Sequence, residues 1–249
     1  MRKNSERIDK LLVERGLVRS RERAKALILA GKVFADGKKV EKAGCEIAIH
    51  AELLLKEKDF PYVSRGGVKL AYALDYFQIM VLNRIALDVG ASTGGFTHCL
   101  LLRGAKKVYA VDVGYGQLDW SLRNDSRVVC MEKTNIRYLS PENIADPISL
   151  AVTDTSFISL KKVLIPVIKL VEQDGEIISL IKPQFELAPQ EIGKGGVVRN
   201  PLLHLKAVEE IIKFANNLGL KVIGTVESPL KGPKGNKEFF IYLKKRNES

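Results

Sequence analysis

The stretch Leu87-Asp88-Val89-Gly90-Ala91-Ser92-Thr93-Gly94-Gly95-Phe96, entered from Ile85-Ala86 and continued by Thr97-His98-Cys99-Leu100-Leu101-Leu102, decides the fold. An apolar run that enters a glycine-rich turn and leaves with helical patterning is the first strand-turn-helix of a Rossmann-like sheet, in which a nucleotide-shaped ligand sits against the turn. The glycine spacing narrows the ligand. A dinucleotide site needs Gly-x-Gly-x-x-Gly, because the middle glycine lets the backbone close on the pyrophosphate. Here Gly90 and Gly95 hold the outer positions and Ser92 the middle one, which argues against NAD. S-adenosylmethionine has no phosphate to accommodate, and its amino-acid end can meet the loop amides and a side chain such as Asp88. The expected cofactor is therefore S-adenosylmethionine, held by Asp88, Gly90, Ala91, Ser92, Thr93, Gly94, Gly95 and Phe96. Val108-Tyr109-Ala110-Val111-Asp112 reads as the next strand, with Asp112 at its carboxyl end to bind ribose hydroxyls.

Outward from this turn the alternation of strand and helix continues. Tyr62 to Leu70 opens a helix running through Phe77, with Lys69 in its first turn, where a lysine opposes the helix dipole and invites an anionic neighbour. Tyr115 to Trp120 begins another helix, and Val128 to Met131 is a short strand. Ile148 to Asp154 and Glu176 to Lys182 are buried strands joined by a helix from Leu160 to Val171. Pro183 to Arg199 is a loop long enough to form a lid, Asn200-Pro201 starts a helix that Gly219 ends, and strands over Val222 to Val226 and Phe239 to Leu243 complete the sheet. The carboxyl ends of parallel strands line one crevice, so Asp88, Asp112, Asp154 and Lys182 should converge there. The expected fold is α/β: a Rossmann-like methyltransferase sheet with helices on both faces, plus a small N-terminal α+β domain.

Lys69, Asp154, Lys182 and Glu238 suit transfer of a methyl group to a ribose 2′-hydroxyl. That hydroxyl is a poor nucleophile at neutral pH and gains from a positioned base and aligned geometry. Lys182 is the candidate base. Shedding its proton near pH 7 costs an ordinary lysine roughly 4 kcal/mol, which partial burial, Lys69 and the sulfonium could supply together. Asp154 and Glu238 would orient the lysines; because strong pairing keeps an amine charged, the four are not all expected to form simple ion pairs.

Charge and composition add a partner. The 249-residue chain is 46% hydrophobic, ordinary for a globular protein, yet its formal net charge is +11. The excess gathers at the ends, +5 over residues 1–30 and +5 over residues 231–246, which points to a polyanion such as RNA. Residues 6–17 place Ile8, Leu11 and Leu12 on one helical face, Ser20 caps a second helix ending at Gly31, and Asp36-Gly37 turns a hairpin over Val33 to Val40. Arg19, Arg21, Arg23 and Lys25 cluster at the start of the second helix, placed for phosphates. The expected RNA contacts are these four with Arg7, Arg65 and Lys194. Cys45, Cys99 and Cys130, widely spaced and without metal-ligand partners, read as reduced thiols of a cytoplasmic protein with no metal. No apolar run nears the ~20 residues of a membrane span, so no membrane association is expected. The expected division is a basic RNA-binding domain over 1–59, a linker over 60–63 and a catalytic domain over 64–249.

The N-terminal pair of helices and the Ala30 to Val40 hairpin resemble the small RNA-binding fold shared by a ribosomal small-subunit protein, pseudouridine synthases and tyrosyl-tRNA synthetases. Domains of this type bind structured RNA by shape and backbone. The chain as a whole resembles the TlyA family, whose catalytic domain is related to the FtsJ-type 2′-O-methyltransferases. The matching stretches are Ser64 to Leu70, Asp88 to Thr97, Asp112 to Leu118, Thr153 to Ile158, Ile181 to Glu186, Gly193 to Arg199 and Gly232 to Asn236. The resemblance puts the family's Lys-Asp-Lys-Glu tetrad on Lys69, Asp154, Lys182 and Glu238. It implies S-adenosylmethionine-dependent methylation of cytidine ribose in ribosomal RNA, of the large subunit and in some members also the small. Ribosomal RNA and subunits are then the expected partners, with no obligate protein partner. The family also carries the name haemolysin, so a membrane-active protein is the competing reading, and an RNA-binding ribosome-assembly factor without catalysis a third.

Overall fold

The computed structural model describes residues 4–18, 20–56 and 60–246, so Arg19 of the expected RNA cluster and residues 57–59 lie outside the described residues. The chain divides into two compact units, Met1–Pro61 and Tyr62–Ser249.

The first unit runs β1 (Ser5–Arg7), α1 (Ile8–Glu14), α2 (Arg21–Leu29), β2 (Val33–Ala35), β3 (Lys38–Lys39), β4 (Glu46–Ala48) and β5 (Leu53–Leu55). Ile8 and Leu12 of α1 and Ala24, Leu27 and Ile28 of α2 pack on Val33, the i, i+3, i+4 spacing that closes a small core. Ser20 caps α2 by accepting from the Arg23 amide at 3.1 Å. Helix α1 is shorter than the periodicity predicts. Glu6 and Arg7 are drawn into β1, where they pair antiparallel with Ile47 and Glu46, a long-range partner that local patterning does not reveal.

The second unit runs α3 (Arg65–Tyr76), β6 (Ile85–Val89), α4 (Gly95–Leu102), β7 (Lys107–Val111), α5 (Trp120–Arg123), β8 (Val128–Met131), β9 (Ile148–Thr153), α6 (Leu160–Leu170), β10 (Val171–Ile181), α7 (Pro183–Glu186), α8 (Pro201–Asn217), β11 (Lys221–Glu227) and β12 (Phe239–Lys244). Its strands form one seven-stranded sheet in the order β11-β12-β10-β9-β6-β7-β8, in which β12 runs antiparallel to both neighbours. Helices cover both faces, so the strands are apolar on both sides. Ala86, Val108, Leu150, Ile178 and Phe240 face a core with α3 and α4, while Leu87, Tyr109, Ala151, Ile177 and Ile241 face α6 and α8.

Three elements differ from expectation. Residues 115–118 form a loop and α5 begins only at Trp120, because the Glu132 carboxylate takes the amides of Gly116, Gln117 and Leu118 that a helix start would leave for its own turn. Strand β10 begins at Val171 and rejoins β9 after an irregularity between Val171 and Glu176. Lys69 is one position beyond the first four residues of α3, since Arg65 opens the helix.

Phe240 is fully buried between strands and helices of the first face. Phe240→Ala is expected to cost about 3–5 kcal/mol of stability, read as a lower midpoint in denaturant unfolding of the full chain.

Candidate active site

The ends of β6 and β9 set the site. Gly90 follows β6 with φ +84°, and a Cβ built on it would lie 2.6 Å from the carbonyl oxygen of Asp154, the residue after β9. A side chain there would force the two strand ends apart. Across the turn Asp112 braces the backbone, accepting from the Ser92 amide at 2.8 Å and the Gly114 amide at 2.7 Å. Ser92 itself sits at φ +49°, a strained conformation that this bond holds in place. Helix α4 starts against α3 so closely that a Cβ on Gly95 would fall 2.2 Å from Ser64 Oγ.

Two cavities open on either side of this turn. The first, about 460 Å³, is walled by Gly90, Ser92, Asp112, Val113 and Gln117, by Thr134 to Arg137 after β8, and by Asp154 to Ile158 and Val163. The second, about 320 Å³, is walled by Ser64, Arg65, Gly66 and Lys69, by Gly90 to Thr93, Gly95 and Phe96, and by Asp154, Ser156, Lys182, Lys231 and Gly232. Gly90, Ser92, Asp154 and Ser156 belong to both, so the cavities share one wall. Only the second holds lysines.

Those lysines are paired. Lys182 Nζ lies 2.7 Å from Asp154 Oδ1 and donates to Ser156 Oγ at 2.8 Å. Lys69 Nζ donates to Glu238 Oε2 at 2.5 Å. The expectation that the four groups avoid simple ion pairs is therefore overturned: each amine is nine-tenths buried and has taken a carboxylate as its nearest compensation. Glu238, at 1% exposure, stands behind Gly232 rather than in the cavity wall; a Cβ on Gly232 would be 2.0 Å from its Oε1.

The expected cofactor residues separate into groups. Gly90, Ser92 and Asp112 line the first cavity, and Ala91, Thr93, Gly95 and Phe96 line the second. Gly94 and Asp88 line neither. Gly94 makes room for Leu118 and Leu122, and Asp88 is fully buried beneath the turn, where Thr97 Oγ1 donates to it at 2.7 Å. Of the expected RNA contacts in this unit, Arg65 lines the second cavity and Lys194 stands exposed in the loop before α8. That loop is tied down rather than free. Asn236 accepts from the Val198 amide at 3.0 Å and donates to the Gly196 carbonyl at 2.9 Å, and His204 Nε2 meets the Val198 carbonyl at 2.9 Å. In the other unit Arg7 and Arg21 converge on Asp9, Arg23 lies 4.6 Å over the Phe60 ring, and Lys25 is exposed.

Several wall residues escaped the sequence reading. Asn135, Ile136 and Arg137 follow β8, and the strand-end rule that picked out Asp112 and Asp154 applies equally there. Phe157 has φ +63° and is 92% exposed at the mouth of the first cavity, its ring 5.3 Å from that of Phe185. Glu132, bonded to Arg123 and three backbone amides, is held down to about 2 and fixes the loop over the cavity edge.

A cleft at the carboxyl ends of a Rossmann-like sheet, with a glycine turn facing paired lysines, defines a methyltransferase class. Residues 62–245 match the FtsJ-like methyltransferase family and residues 6–48 the S4 domain, so the chain belongs to the FtsJ-like methyltransferases and carries an N-terminal S4 domain. Over 243 residues it is 47% identical to the 16S/23S rRNA (cytidine-2′-O)-methyltransferase TlyA of Mycobacterium tuberculosis, spanning 97% of this chain and 91% of that protein. It is 42% identical over 238 residues to Hemolysin A of Brachyspira hyodysenteriae, spanning 95% and 99%. A solved structure from Streptococcus thermophilus, carried under a hemolysin name, superposes with TM-score 0.78 at 43% identity, covering 98% of this chain and 90% of that one. Among the described residues no helix is long and apolar enough to cross a membrane.

Burial pushes the Asp88 carboxyl up from 3.8 to about 7, against the opposing Thr97 hydrogen bond. Native Asp88 therefore keeps a proton that the unfolded chain releases. Its contribution to stability is full below pH 4 and is lost as pH rises through 7, on the order of 4 kcal/mol in all. Asp88→Asn, measured by thermal melting, should melt above the parent at pH 8, with the gap closing toward pH 4; a gap independent of pH contradicts this.

Proposed function

We propose that the chain transfers the methyl group of S-adenosylmethionine to the 2′-hydroxyl of a cytidine in ribosomal RNA, acting in the cytoplasm on ribosomal subunits. The observation that carries this reading is the shared wall: one cavity suited to a nucleoside-like cofactor opens through Gly90, Ser92, Asp154 and Ser156 onto a second with two buried lysines. The substrate named for the M. tuberculosis relative supports the choice of acceptor.

The first cavity fits the cofactor by size and chemistry. Asp112 offers carboxylate oxygens to ribose hydroxyls, each able to accept beyond its backbone amide. Ile136, Ile158 and Val163 provide apolar walls for a purine, and Gly90 leaves the turn bare for the methionine end. When bound, S-adenosylmethionine supplies a methyl group activated by the sulfonium charge.

The second cavity receives the ribose. Lys182 is only 7% exposed, out of reach of a ribose held in the shallow minor groove of a duplex, so the target nucleotide leaves its stack, and the exposed Phe157 ring offers its base a stacking surface. Lys182 is assigned the proton of the attacking hydroxyl. Asp154 and Ser156 fix the direction of that amine, which acts as base in its neutral form. Lys69, held by Glu238, is left to attract the RNA backbone near the acceptor. Arg65 and Lys231 on the same wall add positive charge there, and the S4 unit supplies the docking surface through its basic residues.

Labelled-methyl transfer to ribosomal subunits tests the assignment. Lys182→Ala should lose on the order of 100-fold or more in rate, and Lys182→Arg should lose as much, because an arginine keeps charge but cannot act as base. Near-parental transfer by Lys182→Arg would refute the base. Gly90→Ala should weaken binding of S-adenosylhomocysteine by more than about tenfold in calorimetry, since its Cβ meets the Asp154 carbonyl.

A further inference from the structure

The segment after β9, which carries Asp154, Ser156 and Phe157, is held by side chains and not by its own backbone. At its start the Asp154 amide donates to the Val89 carbonyl at 2.9 Å, and at its end the Lys162 amide donates to the Ser159 carbonyl at 3.0 Å. Between them, residues 155–158 make no backbone–backbone hydrogen bond among the described residues. The span nevertheless keeps Phe157 at φ +63°, a conformation costly for a bulky residue, although its side chain is 92% exposed and draws little support from a core. A neighbouring element has to fix its path.

That element is the turn after β10. Lys182 donates to Ser156 Oγ at 2.8 Å, the Phe185 ring lies 5.3 Å from the Phe157 ring, and the Glu186 carboxylate accepts from Ser159 Oγ at 2.6 Å and from the Leu160 amide at 2.8 Å. The contacts run in step, so residues 156–160 lie alongside residues 182–186. The supporting side is stiff: Pro183 opens α7, the Phe185 amide donates to the Lys182 carbonyl at 2.8 Å, and the Leu187 amide donates to the Pro183 carbonyl at 3.1 Å. Glu186 makes the outermost contact, and it grips the first residue of α6, a helix anchored by buried Leu160, Val163 and Leu164. What the position requires is reach. Burial pushes the Glu186 carboxyl up from the ordinary glutamate value, against both of these bonds, so its surroundings do not favour the charge. A neutral amide of equal length can keep both bonds, accepting from Leu160 and donating to Ser159 Oγ.

We propose that Glu186 is a positioning residue for methyl transfer, fixing the start of α6 against α7 and so setting where Ser156 and Phe157 stand relative to Lys182. It lines neither the cofactor cavity nor the lysine cavity and takes no part in the chemistry. The inference rests on the methyl-transfer reading above and adds to it a residue that acts through others.

The test is labelled-methyl transfer to ribosomal subunits by the full chain, with kcat and the KM for subunits measured separately. Glu186→Ala is expected to lose roughly tenfold or more in kcat, because small misplacements are costly at a reacting centre. Its KM and its affinity for S-adenosylhomocysteine in calorimetry should stay within about threefold of the parent. Glu186→Gln should also keep kcat within about threefold, whereas Glu186→Asp, which retains the charge but is one methylene short, should resemble Glu186→Ala. In a Phe157→Ala background Glu186→Ala should cost less than in the parent, since part of what it positions is gone. Thermal melting checks that each variant is folded, and should Glu186→Ala fail to fold, the Gln and Asp variants decide the matter. Near-parental kcat for Glu186→Ala, a Glu186→Asp variant matching or exceeding Glu186→Gln, or an undiminished cost in the Phe157→Ala background overturns the proposal. A parent that methylates subunits alongside such variants removes the positioning role alone; a parent that methylates none removes the methyl-transfer reading with it.

Discussion

The contact between Gly90 and the Asp154 carbonyl is the constraint on which the catalytic unit depends. Two parallel strand ends meet there with no space for a side chain, so the turn after β6 is a thin partition and not a thick wall. Because it is thin, a cavity on one side and a cavity on the other share the same four residues. Because β9 ends at that partition, Asp154 emerges beside Lys182 from the neighbouring β10. A methyl donor in one cavity and its acceptor in the other can then come into direct contact at this shared edge, and the sheet, not the loops, sets their alignment.

Charge is distributed to suit that geometry. The chain is strongly positive overall, yet within the cleft each buried amine has its own carboxylate, so the site does not accumulate the repulsion that two adjacent ammonium groups and a sulfonium would create. Beneath the turn, burial pushes the Asp88 carboxyl up to about 7, and the residue braces α4 through Thr97. The same logic, a buried carboxylate organising cations, recurs in the S4 unit at Asp9, where the cations outnumber it and remain exposed.

Much of this was legible in the sequence because parallel sheets obey simple rules. Apolar runs ending on polar residues marked β6, β7, β9 and β10, and the rule that their carboxyl ends share a crevice brought Asp112, Asp154 and Lys182 to one place. What stayed hidden depended on partners distant in the chain. The pairing of Lys69 with Glu238 joins residues 169 positions apart, and no local pattern tells an ion pair from a free amine. Asp88 matched a ligand-binding motif, but whether its side chain points into the cleft or under the turn is fixed by where Thr97 falls once α4 is packed. Residues 6–7 carry helical periodicity and become strand because Glu46 and Ile47 supply a ladder. Asn135 to Arg137 were missed for a plainer reason: the strand before them is short, and the acid that follows it, Glu132, is taken up by Arg123 and three backbone amides, so the wall is formed by residues further along the chain.

The central claim is that the donor and acceptor cavities meet at the edge formed by Gly90, Ser92, Asp154 and Ser156. The most direct measurement is a structure of the chain with S-adenosylhomocysteine bound. The account predicts the ligand sulfur at the border formed by Gly90, Ser92, Asp154 and Ser156, with its adenosine toward Asp112 and Asn135 and with the sulfur facing the lysine cavity directly. A sulfur directed away from the lysine cavity, or a ligand seated elsewhere on the sheet, would contradict it.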